Sequence, residues 1–221
     1  MVYSGITGGF FLSRLNRFVA EVSIDGQTER VHVNNTGRCT NVLTVGAEAA
    51  LRRSTNPERK TAYDLIAVKD RSLGWVNIDS SAPNTVVGEW LSGQGLSLVK
   101  PEYRFGASRI DFYLEKGERR ILMEVKGCTL EYGGVAYFPD APTERGVKHL
   151  NGLAAAVAQG YECYAAFVIQ MNGISEVRPN RKIHPEFAEA FDRAVSAGVT
   201  PLFLRCEVKR ESLSIISPHI F

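Results

Sequence analysis

The chain has 221 residues, 44% of them hydrophobic and 23% charged, with a net charge of +2. That size and mix describe one or two ordinary globular domains with a substantial core. They exclude a polycation, so affinity for a polyanion requires a local patch, and they exclude a membrane span, because no apolar run is long enough.

Residues 1–80 read as short strands separated by turn signals. The apolar patch Phe10-Phe11-Leu12 is interrupted by Arg14 and Arg17 and is too short for a signal-peptide core. Phe18–Ile24 alternates, Asp25-Gly26 turns, and Arg30–Val33 alternates again. Asn34–Gly37 is a turn cluster, and Ala47–Arg53 reads as either a strand or one helical turn. Tyr63–Val68 and Trp75–Ile78 complete a set that fits a five-stranded OB-like β-barrel. Arg38, Arg52, Arg53, Arg59 and Lys60 give its loops positive charge, either for nucleic acid or simply for water.

Ser80–Asn84 is the compositional boundary, giving domains 1–80 and 81–221. Thr85–Leu91 is expected as a helix and Leu98–Phe105 as a strand. Val135–Phe138 is short and apolar. A helix then runs to about Gln159, capped by Asp140 with Pro142 in its first turn, and stops at Gly160. Arg145, Lys148, His149 and Gly152 fall on one face of it, where a nucleic-acid backbone would lie if the face does more than meet solvent. Cys163–Ile169 is an unbroken apolar run, expected as a buried central strand. Pro185–Ala197 is a helix and Leu202–Val208 a strand. The four cysteines are scattered with no Cys-x-x-Cys, which reads as reduced, buried thiols in a cytoplasmic protein and not as a zinc site.

The chemistry concentrates in 107–128. Two runs with apolar alternation flank Gly117-Glu118, a type II′ hairpin signal. Extending that register places Asp111 opposite Glu124 and Arg109 opposite Lys126. One face then carries Ile110, Phe112, Leu114, Ile121, Met123 and Val125, and the other carries the charges. Like charges directly opposite destabilise a sheet unless a cation lies between them. Mg²⁺ or Mn²⁺ held by Asp111 and Glu124, with Lys126 beside it, suits phosphodiester chemistry. Asp followed by Glu-x-Lys on the next strand is the signature of the PD-(D/E)xK nuclease-like fold. The pattern also arises by chance: Glu58-Arg59-Lys60 follows Asn56-Pro57 in a loop, and the acid preceding Glu207-Val208-Lys209 is Asp192, in a helical pattern. Spacing alone leaves a metal site and a solvated charged face both open.

Arg17–Val22, Asn35–Cys39, Arg59–Thr61, Tyr63–Leu65, Ala82–Asn84, Ser108–Phe112, Glu124–Lys126 and Phe138–Gly146 with Lys148–Leu150 together resemble the sugar fermentation stimulation protein A family along nearly the whole chain. Phe138–Leu150 is the most specific stretch. The resemblance implies an α/β (α+β overall) architecture, with an N-terminal OB-like barrel followed by a PD-(D/E)xK restriction-endonuclease-like domain with a mixed sheet. It implies non-specific DNA binding linked to sugar, particularly maltose, metabolism. It also implies a catalytic set of Asp111, Glu124 and Lys126, with metal ligation by Asp111, Glu124 and Glu89. Asn34 stands where a Pro is expected, and Gly127-Cys128 departs from the usual residues after the Lys. Three functions remain open at this point: a metal-dependent phosphodiesterase, a DNA-binding regulator with a nuclease-like site, and a protein acting on a small phosphate ligand. The oligomeric state is also open, a homodimer included.

Overall fold

The structure, a computed structural model, describes every residue except Pro57 and Ala107. The Pro57 of the Asn56-Pro57 loop and the first residue of the 107–128 stretch therefore lie outside the described residues.

Five strands close the N-terminal barrel: β1 (Ile6–Arg14), β2 (Val19–Ile24), β3 (Gln27–Val33), β4 (Glu48–Arg53) and β5 (Tyr63–Asp70). Their order is β3-β2-β1-β4-β5, and β5 returns to β3 in parallel through His32↔Asp64 and Val33↔Leu65. Closure removes the free edges of the sheet, and alternate residues such as Ala20, Val22 and Ile24 fill the interior. The β2–β3 turn is Asp25-Gly26, both with positive φ, as a type I′ hairpin requires. A sixth strand, β6 (Gly74–Asn77), adds to β5.

Strand β1 did not stand out in the sequence because Gly8-Gly9 interrupts its alternation. Gly9 has a packing reason: a Cβ there would lie 2.7 Å from the Ser23 carbonyl oxygen. Ala47–Arg53 resolves as a strand, β4 from Glu48.

The second domain begins with α1 (Ala82–Ser92), so the compositional boundary at Ala82-Pro83-Asn84 forms its first turn. β7 (Leu98–Phe105), β8 (Ser108–Lys116) and β9 (Arg119–Cys128) follow, then β10 (Leu130–Tyr132), β11 (Val135–Phe138), α2 (Glu144–Val157), β12 (Glu162–Ile169), β13 (Val177–Pro179), α3 (Pro185–Ser196), β14 (Thr200–Lys209) and β15 (Ser212–Ile215). The six-stranded sheet has the order β15-β14-β12-β9-β8-β7, with β12 parallel to β9 and β14. Covered on both faces, β12 is the buried apolar run that the sequence suggested. α1 packs with Val86, Val87 and Leu91 against one face, while α2 and α3 cover the other. β10, β11 and β13 form a separate three-stranded sheet.

Two local expectations are corrected. Thr143, not Asp140, caps α2, accepting the Gly146 N–H at 3.1 Å. Asp140 instead lies against Gly37 and accepts the Cys39 N–H at 3.4 Å, tying the second domain to the barrel. Ile110 leaves the α1 face and joins the core beneath α2 and α3, so alternation breaks at Asp111.

The domains are joined by a buried polar cluster. Gln170 Nε2 donates to Asn77 Oδ1 at 2.8 Å and to the Asp79 carbonyl at 3.1 Å. Asn77 donates to the Tyr3 hydroxyl at 3.0 Å, and that hydroxyl donates to Asp79 at 3.1 Å. All four cysteines are buried and unpaired. Among the described residues no helix is long and apolar enough to cross a membrane.

Candidate functional site

Gly117 takes φ +59, and Lys116 pairs with Arg119 as the hairpin register requires. The ladder runs back only to Phe112↔Met123. Beyond it the Asp111 side chain replaces the backbone: Oδ2 accepts the Val125 N–H at 2.7 Å, and Oδ1 accepts Asn84 Nδ2, from the first turn of α1, at 2.9 Å. Neither the expected Asp111–Glu124 pair nor the Arg109–Lys126 pair forms in the ladder, and the Arg109 side chain meets Glu102 at 3.2 Å.

Glu124 and Lys126, two apart on β9, face α2. Glu124 is 3% exposed. Its Oε1 accepts Lys126 Nζ at 2.7 Å and also contacts His149 Nδ1. Lys126 Nζ also reaches the Val125 carbonyl at 3.1 Å. His149 Nε2 faces Arg145 Nε at 3.2 Å. An arginine can only donate, so Nε2 accepts there, while Nδ1 faces both Glu124 Oε1 and, at 3.4 Å, Lys126 Nζ. The remaining Glu124 oxygen, Oε2, is buried without a hydrogen-bond partner.

These surroundings separate the two acids. Burial and the Glu124 charge raise the Asp111 carboxyl above its usual value. Burial pushes Glu124 upward as well, but the His149 hydrogen bond and the Lys126 ammonium outweigh it and hold that carboxyl low.

The expected third ligand is corrected. Glu89 is exposed on α1, and its Oε2 holds the Met1 amino group at 2.6 Å. Among the described residues no three of His, Cys, Asp and Glu converge. A half-buried carboxylate, Asp111, and a buried one, Glu124, with an unpartnered oxygen still fit a cation that completes its shell with water and phosphate, as Mg²⁺ and Mn²⁺ do. Lys126 and His149 crowd the other Glu124 oxygen.

The basic residues divide into two groups. Arg52 and Arg59 are committed to buried Asp64, at 3.0 Å and 2.7 Å, with His32 at 3.0 Å on the same carboxylate. His149 is buried in the site and so is not part of an exposed basic helix face. Its sequence signal was the i, i+4 spacing from Arg145, which read equally well as surface charge. Arg38, Arg53, Lys60 and Lys148 are exposed, and among the described residues they make no ion pair.

Residues 12–78 match the family model described as the SfsA N-terminal OB domain, and residues 81–212 match the sugar fermentation stimulation protein RE domain. A sugar fermentation stimulation protein homolog from Desulfitobacterium hafniense is 51% identical over 96% of this chain and 94% of its own length. The homolog from Ruminiclostridium cellulolyticum is 46% identical over 97% and 96%. The structure of Pyrococcus furiosus SfsA in complex with Ca²⁺ superposes with a TM-score of 0.86 at 28% identity, covering 98% of this chain and 95% of that one. This chain, with its barrel and its mixed-sheet domain, belongs to the sugar fermentation stimulation protein family.

Proposed function

We propose that the chain binds DNA without regard to sequence and holds one Mg²⁺ or Mn²⁺ on Asp111 and Glu124 within the binding surface. The observation that carries this reading is the buried, unpartnered Oε2 of Glu124 beside the raised Asp111 carboxyl. A buried acceptor without a partner is costly, and two acids held close favour a cation between them. The Ca²⁺ complex of the Pyrococcus furiosus relative supports the choice, since Ca²⁺ also takes oxygen ligands. When bound, the cation would supply charge stabilisation and water activation at a phosphodiester.

The chain's own residues do the positioning. Asn84 and the Val125 N–H fix Asp111, while His149 fixes Glu124. Lys126 presents a positive charge to a phosphate oxygen or to an attacking water. Exposed Arg38, Arg53, Lys60 and Lys148 supply phosphate contacts that position a backbone and carry no sequence information. In this scheme the barrel, residues 1–80, guides the strand to the centre in residues 81–221.

Retained phosphodiester cleavage is the second reading, favoured by Lys126 standing 2.7 Å from Glu124. One experiment addresses both. Purified protein is mixed with labelled single- and double-stranded DNA and RNA in Mg²⁺, Mn²⁺ or EDTA. Salt-sensitive DNA binding without products leaves a binding protein, and metal-dependent products establish a nuclease. Absence of binding to every polymer removes the proposal.

A further inference from the structure

The three-stranded sheet β10-β11-β13 supplies none of the residues Asp111, Glu124, Lys126 or His149, yet it forms one wall of a groove. The groove, about 780 Å³, runs between this sheet, the 38–40 loop of the barrel and residues 178–183. Leu130 pairs with Tyr137, and Tyr137 with Arg178 in the next strand, so all three share a face. Tyr132, two residues from Leu130, points to that face too and is 61% exposed. Its ring lies 6.0 Å from that of Tyr137, tilted by 54°.

Cations surround these rings. Arg38, Arg178, Arg181 and Lys182 line the groove and are exposed, against one lining carboxylate, Asp140. Arg178 and Arg181 have Glu176 and Asp192 as neighbours, at 2.6 Å and 2.7 Å. Exposed pairs of this kind are weak, and a phosphate can displace the acid. A large exposed tyrosine amid such charge has no packing explanation, and a basic track with aromatic platforms is how sequence-tolerant single-strand binding is built.

A second cleft adjoins the groove. Tyr137 and Asp140 also line this cleft, of about 380 Å³, together with Gly127 and Cys128 of β9.

We infer that this groove binds the unpaired strand of a polynucleotide, with bases stacked on Tyr132 and Tyr137 and phosphates held by Arg38, Arg178, Arg181 and Lys182. The inference rests on the nucleic-acid reading above and adds a substrate form: single strands, or duplexes with an unpaired end, over closed duplex.

Fluorescence anisotropy with labelled oligodeoxythymidylate, oligouridylate and a blunt duplex tests it on the full chain. The wild type is expected to favour the two single strands over the duplex, and the tighter of the two identifies the sugar preferred. Tyr132→Ala should weaken single-strand binding about ten-fold, Tyr132→Phe should restore it, and neither should alter duplex binding. The double variant Arg178→Ala, Lys182→Ala should lower the single-strand salt slope by about 1.4, the loss of two phosphate contacts. Photo-cross-linking of bromouracil-substituted oligonucleotide should map to Tyr132 or Tyr137. Unchanged single-strand affinity in Tyr132→Ala, or cross-links confined to barrel aromatics such as Phe10 and Phe18, overturns the groove while leaving general nucleic-acid binding intact. A wild type that binds none of the three probes overturns the underlying reading and the groove with it.

Discussion

The Asp111 carboxylate accepts the backbone N–H of Val125, the residue between Glu124 and Lys126, at 2.7 Å. That one bond sets the acid's position relative to both partners on the neighbouring strand. It also ends the β8–β9 ladder at Phe112↔Met123, since the N–H it uses is no longer available to a strand carbonyl.

Asp111→Asn should keep this geometry, because an amide oxygen accepts the Val125 N–H as well and Asn84 can turn its own oxygen toward the new amide. Burial and Glu124 raise the Asp111 carboxyl, so its ionisation costs the fold stability as pH rises from the unfolded carboxylate value through the folded one. At neutral pH without metal the variant should therefore be more stable than wild type. Excess Mn²⁺ at a hundred times its Kd should stabilise wild type by about 2.7 kcal/mol and the variant hardly at all. Scanning calorimetry with and without Mn²⁺ measures both effects. Equal Mn²⁺ shifts in the two proteins would take the cation away from Asp111. The wild-type response should also strengthen as pH rises, because the Asp111 proton must leave before a cation is held.

Lys126→Ala separates binding from chemistry. One lost phosphate contact lowers the salt slope by about one unit and leaves affinity within a few-fold. Removal of a charge that acts only in the transition state costs about 10²–10³ in rate. Gel assays of cleavage beside anisotropy of binding read the two quantities. Wild-type cleavage by the variant would place any nuclease outside this centre.

On the barrel, Asp64 gathers Arg59, Arg52 and His32. Burial pushes its carboxyl up, but those three hydrogen bonds prevail and bring it down to about 2. A depressed acid stabilises the fold above its unfolded pKa, and the benefit disappears as pH falls through the folded value. Barrel stability should thus decline between about pH 4 and pH 2. Asp64→Asn should cost about 2 kcal/mol at neutral pH, less than a fully buried pair because both arginines reach solvent. Urea denaturation at pH 7 and pH 3 checks this, with the gap between the two proteins falling to about half at the lower pH. A constant gap would assign the effect to packing.

Gly127→Ala should destabilise the protein by about 1–3 kcal/mol. Its Cβ would collide with Gln170 Oε1 and stand 2.8 Å from Pro83 Cγ. Gln170 would have to release Asn77 or Asp79 in order to move. A thermal melt no different from wild type would show that the joint yields freely.

The hairpin was legible because its turn is local: Gly117-Glu118 fixes the register by backbone rules, and the observed pairs follow it back to Phe112. Long apolar or strongly periodic segments such as Cys163–Ile169 and Pro185–Ala197 were legible for the same reason. What escaped depends on distant partners. The i, i+4 pair Arg145 and His149 looks like surface charge until β9 is packed beneath α2, and Glu89 suits a ligand until the N-terminal segment is seen to take it. Arg52 and Arg59 read as free cations because nothing in sequence links them to Asp64. Strands β10 and β13, each three residues long, are too short to show a period, although they build the groove that holds Tyr132.

Gln170, Asn77, Asp79 and Tyr3 form one buried polar cluster drawn from both halves of the chain. Parting the halves would break both bonds that Gln170 donates, to Asn77 and to the Asp79 carbonyl, and leave those groups unsatisfied until water enters. A hinge at this seam is therefore expensive, and the molecule should melt in a single transition, with amide exchange in β6 and β12 slowing together. A strand lying across barrel and sheet would then meet a template of fixed spacing, so selection among nucleic acids falls to the flexibility of the polymer and not to that of the protein.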